Sequence, residues 1–505
     1  MPRRPRVVRS RLLLVAISVG TAMSLSPPTT AQSVSWAPAY PMILTPERAL
    51  AFVQAAERKL DYLPAEVIVK FKAGVTVAGQ QRSLMALRSR PAVSQLRWIA
   101  DSTAVLRDSI ESDGTILAAQ LSGEPEVEYA EPNYLYHLTS SPNDPGFSGR
   151  QWNLSVLDMP RAWDINPGGT SSIIVAVVDT GVTEVASQSL AFRTWSGSAI
   201  QNTNVSFAAN PDLARSRLVS PRDFSFWSGP VLDMVGHGTH ISSTIGEDTN
   251  NALAEAGIAY HVGIMPVKVC VGYWELQFLR SAAGVSGFNP LKNAGGCADA
   301  DVAQGIRYAA DNGAKVINLS LGGPQPSLTV KDALSYAVGK GVFVAVSAGN
   351  GFIDDGNVVE YPAGYASSID GVMAVGAVGL SLKRASYSTT GSQIEIAAPG
   401  GDFQDSGFTG LIWQSTIFLP DSDPESITFP RFDRYGETPF QGTSMAAPHV
   451  AGIAALIMSQ GVTSPAAVEA LIKATARDLG APGPDNEYGY GLIQPRAALR
   501  GVGVK

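Results

Sequence analysis

The run Ser172-Ile173-Ile174-Val175-Ala176-Val177-Val178-Asp179 decides the fold. Its apolar residues follow one another without alternation, the pattern of a strand buried on both faces of a parallel sheet. Outward from it, short apolar runs at Ile264 to Val269, Lys315 to Leu321 and Val342 to Ser347 alternate with helical patterns at Ala298 to Asn312 and Ser327 to Lys340. That alternation predicts an α/β fold, a doubly wound and mostly parallel sheet with helices on both faces. Such sheets bind ligands at the carboxyl ends of their strands, where Asp179, Asn318-Leu319-Ser320 and Ala348-Gly349-Asn350 fall.

A second stretch carries the chemistry: Gly442-Thr443-Ser444-Met445-Ala446-Ala447-Pro448-His449-Val450. Ala451 to Gln460 reads as an apolar helix, which puts Ser444 at a helix N-terminus, where a backbone N–H has no intrahelical acceptor. A hydroxyl there can attack a carbonyl while the amide and the helix dipole stabilise the oxyanion. Serine is a weak nucleophile and needs a base, and the base needs an orienting group. His237, between glycines in Gly236-His237-Gly238-Thr239-His240, supplies the first. Asp179, at the end of its apolar run, supplies the second. The order is Asp, His, Ser. In α/β-hydrolases the order is Ser, Asp, His and the serine sits in Gly-x-Ser-x-Gly, so a lipase or esterase reading fails on both counts.

That order, in these three contexts, resembles the subtilisin-like serine proteases, the subtilases. The resemblance covers about residues 66 to 498 and ends in Tyr488-Gly489-Tyr490-Gly491-Leu492-Ile493, similar to the closing strand of the subtilase domain. It implies a serine endopeptidase with Asp179, His237 and Ser444 as its triad. Asn350 resembles the family's side-chain donor to the oxyanion. The segment Ile317 to Gly323, with Ser320, Leu321 and Gly322, looks like the part that pairs with an extended peptide, and Ala348 and Gly349 are expected to bind substrate as well. The second histidine of the motif, His240, is structural in the family, and no Glu follows it in a His-Glu-x-x-His zinc arrangement. His449 lies one and a half helical turns past Ser444 and is expected to be structural too.

The N-terminal part has a different texture. Arg3, Arg4, Arg6, Arg9 and Arg11 precede the apolar run Leu12 to Val19 and the small residues up to Ala31, which reads as a secretory signal over 1–31. Patterns for a helix at Pro46 to Leu60, a strand at Glu66 to Phe71, a helix at Val77 to Arg88, strands at Leu96 to Ile99 and Thr103 to Leu106, a helix at Thr115 to Leu121 and a strand at Val127 to Tyr134 give the order of a small α+β sandwich. Its first strand and its ending Val-Glu-Tyr-Ala-Glu-Pro-Asn-Tyr resemble the inhibitory propeptide of subtilases. The expected domains are therefore a propeptide over 32–139, acting as chaperone and intramolecular inhibitor, and a peptidase domain over 140–505. An exported, extracellular or periplasmic zymogen follows.

Charge narrows the partners. Residues 1–139 hold 15 basic and 12 acidic residues, leaving 22 basic against 32 acidic in the remainder. With no basic stripe there, nucleic acid is excluded as a partner, and protein and peptide substrates remain. No run is long enough to span a membrane, and a monomer is expected. Cys270 and Cys297 are the only cysteines. In an exported chain they are expected to pair; two buried thiols are the alternative. The chemistry requires no cofactor. Asn250-Asn251 resembles part of a family calcium loop, but no matching carboxylate is evident after Asp179, so structural calcium stays open. The span Leu411 to Pro439 is longer than the family pattern and its role is unreadable. A catalytically silent binding protein on a protease fold is the competing class, disfavoured by the intact triad.

Glu360 precedes Tyr361-Pro362-Ala363, which resembles the segment lining the family's primary specificity pocket. A carboxylate on the pocket floor would favour Lys or Arg. Yet the expected processing region, about Asn133 to Gly149, contains neither. The expectation is broad cleavage after large residues with a secondary tolerance for basic ones, the alternative being a Glu360 that faces solvent.

Overall fold

The computed structural model describes residues 45–58, 60–76, 78–80, 93–100, 102–108, 113–135, 141–196, 199–285, 295–418 and 431–502. The signal at 1–31 and most of the helix expected from Val77 to Arg88 lie outside them. The chain divides into two compact units between Tyr134 and Leu135.

The first unit runs α1 (Pro46–Glu57), β1 (Tyr62–Phe71), β2 (Val93–Ala100), β3 (Thr103–Asp108), α2 (Gly114–Ser122) and β4 (Val127–Tyr134). Its sheet has the order β2-β3-β1-β4 with antiparallel pairs. Val67, Val69 and Phe71 alternate along β1 and bury one face against Leu117 and Leu121 of α2. Both helices start on side-chain caps: Thr45 Oγ1 accepts from Arg48 N, and Asp113 Oδ1 from Thr115 N.

In the second unit the strands are β5 (Ile174–Asp179), β6 (Ser187–Ser196), β7 (Ala199–Ala208), β8 (Arg222–Asp223), β9 (Gly263–Lys268), β10 (Cys270–Val271), β11 (Gly296–Cys297), β12 (Val316–Leu319), β13 (Phe343–Ser347), β14 (Val372–Val378), β15 (Ile396–Pro399), β16 (Ile412–Ile417) and β17 (Tyr435–Phe440). Its longer helices are α3 (His237–Gly246), α4 (Tyr273–Ala282), α5 (Asp299–Asp311), α6 (Leu328–Gly339), α7 (Thr443–Ser459), α8 (Pro465–Thr475) and α9 (Pro495–Gly501). Among the described residues the main sheet has the order β15-β14-β13-β12-β5-β9-β8, every neighbouring pair parallel. The unbroken apolar run of β5 now has its reason. Val175 and Val177 pack with Ile241 of α3 and the apolar side chains of α7, while Ala176 and Val178 pack with Val302 and Ile306 of α5 and Leu334 of α6.

Three features differ from the sequence reading. The helix expected from Ala451 starts eight residues earlier, at Thr443, and carries Pro448 inside it. Proline removes the N–H that would bond the carbonyl four residues back, here Ser444 C=O, and Ser320 Oγ donates to that oxygen instead at 2.8 Å. Tyr488 to Ile493 forms isolated bridges, Leu492 to Ala397 and to Arg477, in place of a regular closing strand. The two ends of the unreadable span around 411–439 pair as a hairpin stem, β16 with β17 from Ile412↔Phe440 to Ile417↔Tyr435, while residues 419–430 of the insert lie outside the described residues. Its stem is tied to α3: His240 Nε2 donates to Ile412 O and Thr438 O, and Thr416 Oγ1 donates to Gly236 O.

Candidate active site

Asp179 ends β5, and His237 begins α3 after Gly236, whose φ of 88° suits glycine. Their side chains meet: Nδ1 of His237 lies 2.8 Å from Asp179 Oδ1, with the carboxylate 2% and the imidazole 27% exposed. An acceptor at Nδ1 fixes the tautomer with its proton there and leaves Nε2 basic. Burial lowers the imidazole pKa, but the charge and hydrogen bond of Asp179, with the charge of Asp233, outweigh it and hold His237 above its ordinary value. Asp179 Oδ1 also accepts from Thr180 N at 2.7 Å.

Ser444 sits in the first turn of α7, which packs beside α3 on the same face of the sheet. Two neighbouring helices thus present their N-terminal turns at the carboxyl edge. The hydrogen bond of the Ser444 hydroxyl runs to Ser320 O at 3.4 Å, not to His237. Ser320 braces the serine twice, since its Oγ also binds Ser444 O while accepting from Asn318 Nδ2 at 2.9 Å. Asn350 Oδ1 accepts from Thr443 N (2.9 Å) and Thr443 Oγ1 (3.0 Å), which locks its amide over the start of α7. Gly442 precedes the helix at φ 149°, and a Cβ there would lie 3.6 Å from both Asn350 Nδ2 and Ser444 N. Both N–H donors therefore flank one small space, left open by the missing side chain. This arrangement can serve as a donor pair for a carbonyl oxygen that gains negative charge.

The residues expected on the substrate side gather around the same edge. Leu321 and Gly322 follow β12 in exposed or half-buried backbone, and Gly323 is bridged to Tyr361 by hydrogen bonds of 3.0 and 2.8 Å. Ala348 is buried, and Gly349 adopts φ 106° with Thr443 Oγ1 accepting from its N–H at 3.1 Å. Glu360 is not turned to solvent. It is half-buried, with Oε1 accepting from Asn350 N (2.9 Å) and Gly351 N (3.3 Å), and Oε2 lies 3.1 Å from where a Gly322 Cβ would be. Any side chain at Gly349 would strike it. Burial raises its pKa against the pull of those N–H donors.

His240 and His449 are neutral and internal. Burial pushes His240 down to about 3 and His449 down to about 4. His449 Nδ1 donates to Met445 O and its Nε2 accepts from Asn153 Nδ2, each at 2.8 Å. Cys270 and Cys297 are joined by a disulfide between β10 and β11.

Some site residues escaped the sequence reading. Asp233 and Lys268, both fully buried, stand behind the Asp179–His237 pair. A lysine inside the apolar run Gly263 to Val269 was the visible signal. Asp212 is a buried carboxylate beside Asn250-Asn251. Asn251 Nδ2 donates to Asp212 Oδ1 at 2.5 Å, and Asp144 accepts from the N–H groups of Asn250 and Asn251. Oxygens of Asp212, Glu247 and Glu255 are buried nearby without a hydrogen-bond partner, and burial raises Asp212 and Glu255 to about 7. Such oxygen donors suit a hard cation. Among the described residues no three carboxylates or imidazoles could hold a metal by themselves, so the amide oxygen of Asn251 and loop carbonyls would have to contribute.

With this geometry in view, residues 170–491 match the Subtilase family, and residues 49–133 match the Fervidolysin N-terminal prodomain. The chain belongs to the subtilase family. This subtilase is 30% identical to a thermophilic serine proteinase of Bacillus sp. (strain AK1) over 86% of this chain and 88% of the relative. It is 33% identical to thermitase of Thermoactinomyces vulgaris over 68% of this chain and 94% of the other. A solved protease from Pseudoalteromonas arctica PAMC 21717 is similar at 28% identity and a TM-score of 0.52, over 72% of this chain and all (100%) of that one. The subtilase is thus a serine endopeptidase made with a prodomain, a zymogen acting on protein substrates.

Proposed function

We propose that the subtilase cleaves peptide bonds through Ser444, His237 and Asp179 and is exported as a zymogen. Ser444 Oγ attacks the scissile carbonyl while His237 Nε2 takes its proton. Asp179 holds the tautomer and balances the imidazolium, and Ser444 N–H and Asn350 Nδ2 receive the oxyanion. His237 then returns the proton to the leaving amine, and water resolves the acyl-enzyme by the same path. A rotation of the Ser444 hydroxyl away from Ser320 O precedes attack. The observation that carries this reading is the Asp179–His237 hydrogen bond beside the helix turn that holds Ser444 and Asn350. Ser444→Ala is expected to lower kcat on the order of 10⁴-fold or more and to leave the precursor uncut. Casein hydrolysis by the purified variant at the wild-type rate would refute it.

Export rests on the signal pattern at 1–31, with the propeptide over 32–139, the peptidase over 140–505 and a monomeric product. Residues Asp144, Asp212 and Asn251 would hold a calcium ion, which would fix their loops and take no part in the chemistry. Substrate would add as a strand beside Ser320-Leu321-Gly322, opposite Ala348-Gly349. Glu360 lies between these segments with one oxygen committed to the backbone of Asn350 and Gly351, which supports a secondary tolerance for Lys and Arg through the other oxygen, while the lack of Lys and Arg from about Asn133 to Gly149 supports cleavage after large residues. Peptide-library profiling should show Glu360→Ala losing the basic fraction only. Identical profiles would clear Glu360 of the role, and wild-type cleavage confined to Lys and Arg would defeat the broad reading.

A further inference from the structure

Thr180, the residue after Asp179, is held from three sides. Its N–H goes to Asp179 Oδ1 and its carbonyl accepts from Lys268 Nζ at 2.7 Å. Its hydroxyl donates to Asp233 Oδ1 at 3.1 Å and accepts from Gly238 N at 2.8 Å. Asp233 also gathers the start of α3. Oδ1 accepts from Val235 N and Gly236 N, each at 2.9 Å, and Oδ2 from Thr239 N (3.0 Å) and Thr239 Oγ1 (2.6 Å). Every partner is a donor, which suits the acceptor-only carboxylate and not the acid. Four of these bonds orient the turn that carries His237, and one ties that turn to the segment that carries Asp179.

We propose that Asp233 is a positioning residue of the catalytic centre, a second buried carboxylate that registers Asp179 against His237. The proposal rests on the triad reading above. The groups facing this pair are Asp179 and His240 beside His237, and Lys268 and Tyr435 beside Asp233, with Lys268 in turn bonded to Glu275. Burial raises the Asp233 carboxyl above its ordinary value, and the charge of Lys268 and the donors around it pull against that rise and favour the anion. As an anion it acts in the same direction as Asp179, raising the imidazole pKa. His240 stays neutral in the working range and supplies no competing charge.

Asp233→Asn tests this, with His237→Gln as reference. A base must be neutral to take the serine proton, so the acid limb of kcat/KM follows the imidazole pKa. Asp233→Asn is expected to move that limb to lower pH and to cost several-fold in kcat, with KM within about twofold, while Asp233→Glu returns the limb toward wild type. Titration of the His237 imidazole by NMR should move in the same sense. An unmoved limb and titration in a folded variant would overturn the proposal. Should Asp233→Asn fail to fold, Thr180→Val cuts the link with the charge retained; a several-fold loss of kcat at constant KM supports the role, and wild-type kcat defeats it. Wild-type activity in His237→Gln would instead mark failure of the triad reading itself.

Discussion

The two halves of the catalytic edge are built from different materials. The Asp179–His237 half is backed by buried charge: Asp233, and behind it Lys268 and Glu275, an ion pair of 2.8 Å whose side chains are both 0% exposed. The side chains that brace the Ser444–Asn350 half are neutral, the hydroxyls of Ser320 and Thr443 and the amides of Asn318 and Asn350, while the Glu360 carboxylate is turned to the backbone N–H groups of Asn350 and Gly351. The difference follows the chemistry. An imidazole that gains a proton profits from fixed negative charge, whereas an oxyanion needs donors and would be destabilised by a carboxylate aimed at it.

Substitutions on either side can break this comparison. The largest stability effect is expected on the charged half. Glu275→Ala leaves Lys268 buried without its partner, so unfolding stability should fall by about 3–5 kcal/mol, read by denaturant melts. A loss under about 1 kcal/mol would mean that the pair is dispensable. On the neutral half, Asn350→Ala should leave stability nearly unchanged and lower kcat on the order of 10²–10³ with little change in KM, because its donor matters in the transition state. Unchanged kcat, with chemistry shown to be rate-limiting, would remove Asn350 from the site. Ser320→Ala is the smallest test. It strips Ser444 C=O of the donor that replaces the missing N–H of Pro448, and a cost of about 1–2 kcal/mol in stability is expected with a modest fall in kcat. A neutral result would show that Pro448 needs no such compensation.

Much of the second unit was legible because parallel strands buried on both faces are written as unbroken apolar runs. Ile174–Asp179, Val316–Leu319 and Phe343–Ser347 were found within a residue or two of their sequence limits. Helix α7 was misjudged at its start because Pro448 signals a break in local terms. The hairpin β16–β17 was unreadable because its strands are half-polar and gain their meaning from α3, more than 160 residues earlier in the chain. Asp212 was missed for the same reason: its partner Asn251 is 39 residues away.

By itself the sequence determined the class of sheet, the order Asp179, His237, Ser444, and the pairing candidates Cys270 and Cys297, since each is expressed in residue type and local pattern. Only the tertiary structure decided which groups stand behind them. That Asp233 ties the turn before His237 to Thr180, and that Ser320 completes the broken helix at Ser444, depend on contacts between segments distant in sequence, and the Lys268–Glu275 pair, though close in the chain, depends on the burial of both side chains. Burial sets the energy of those contacts, and burial is a property of the packed chain that no local pattern contains.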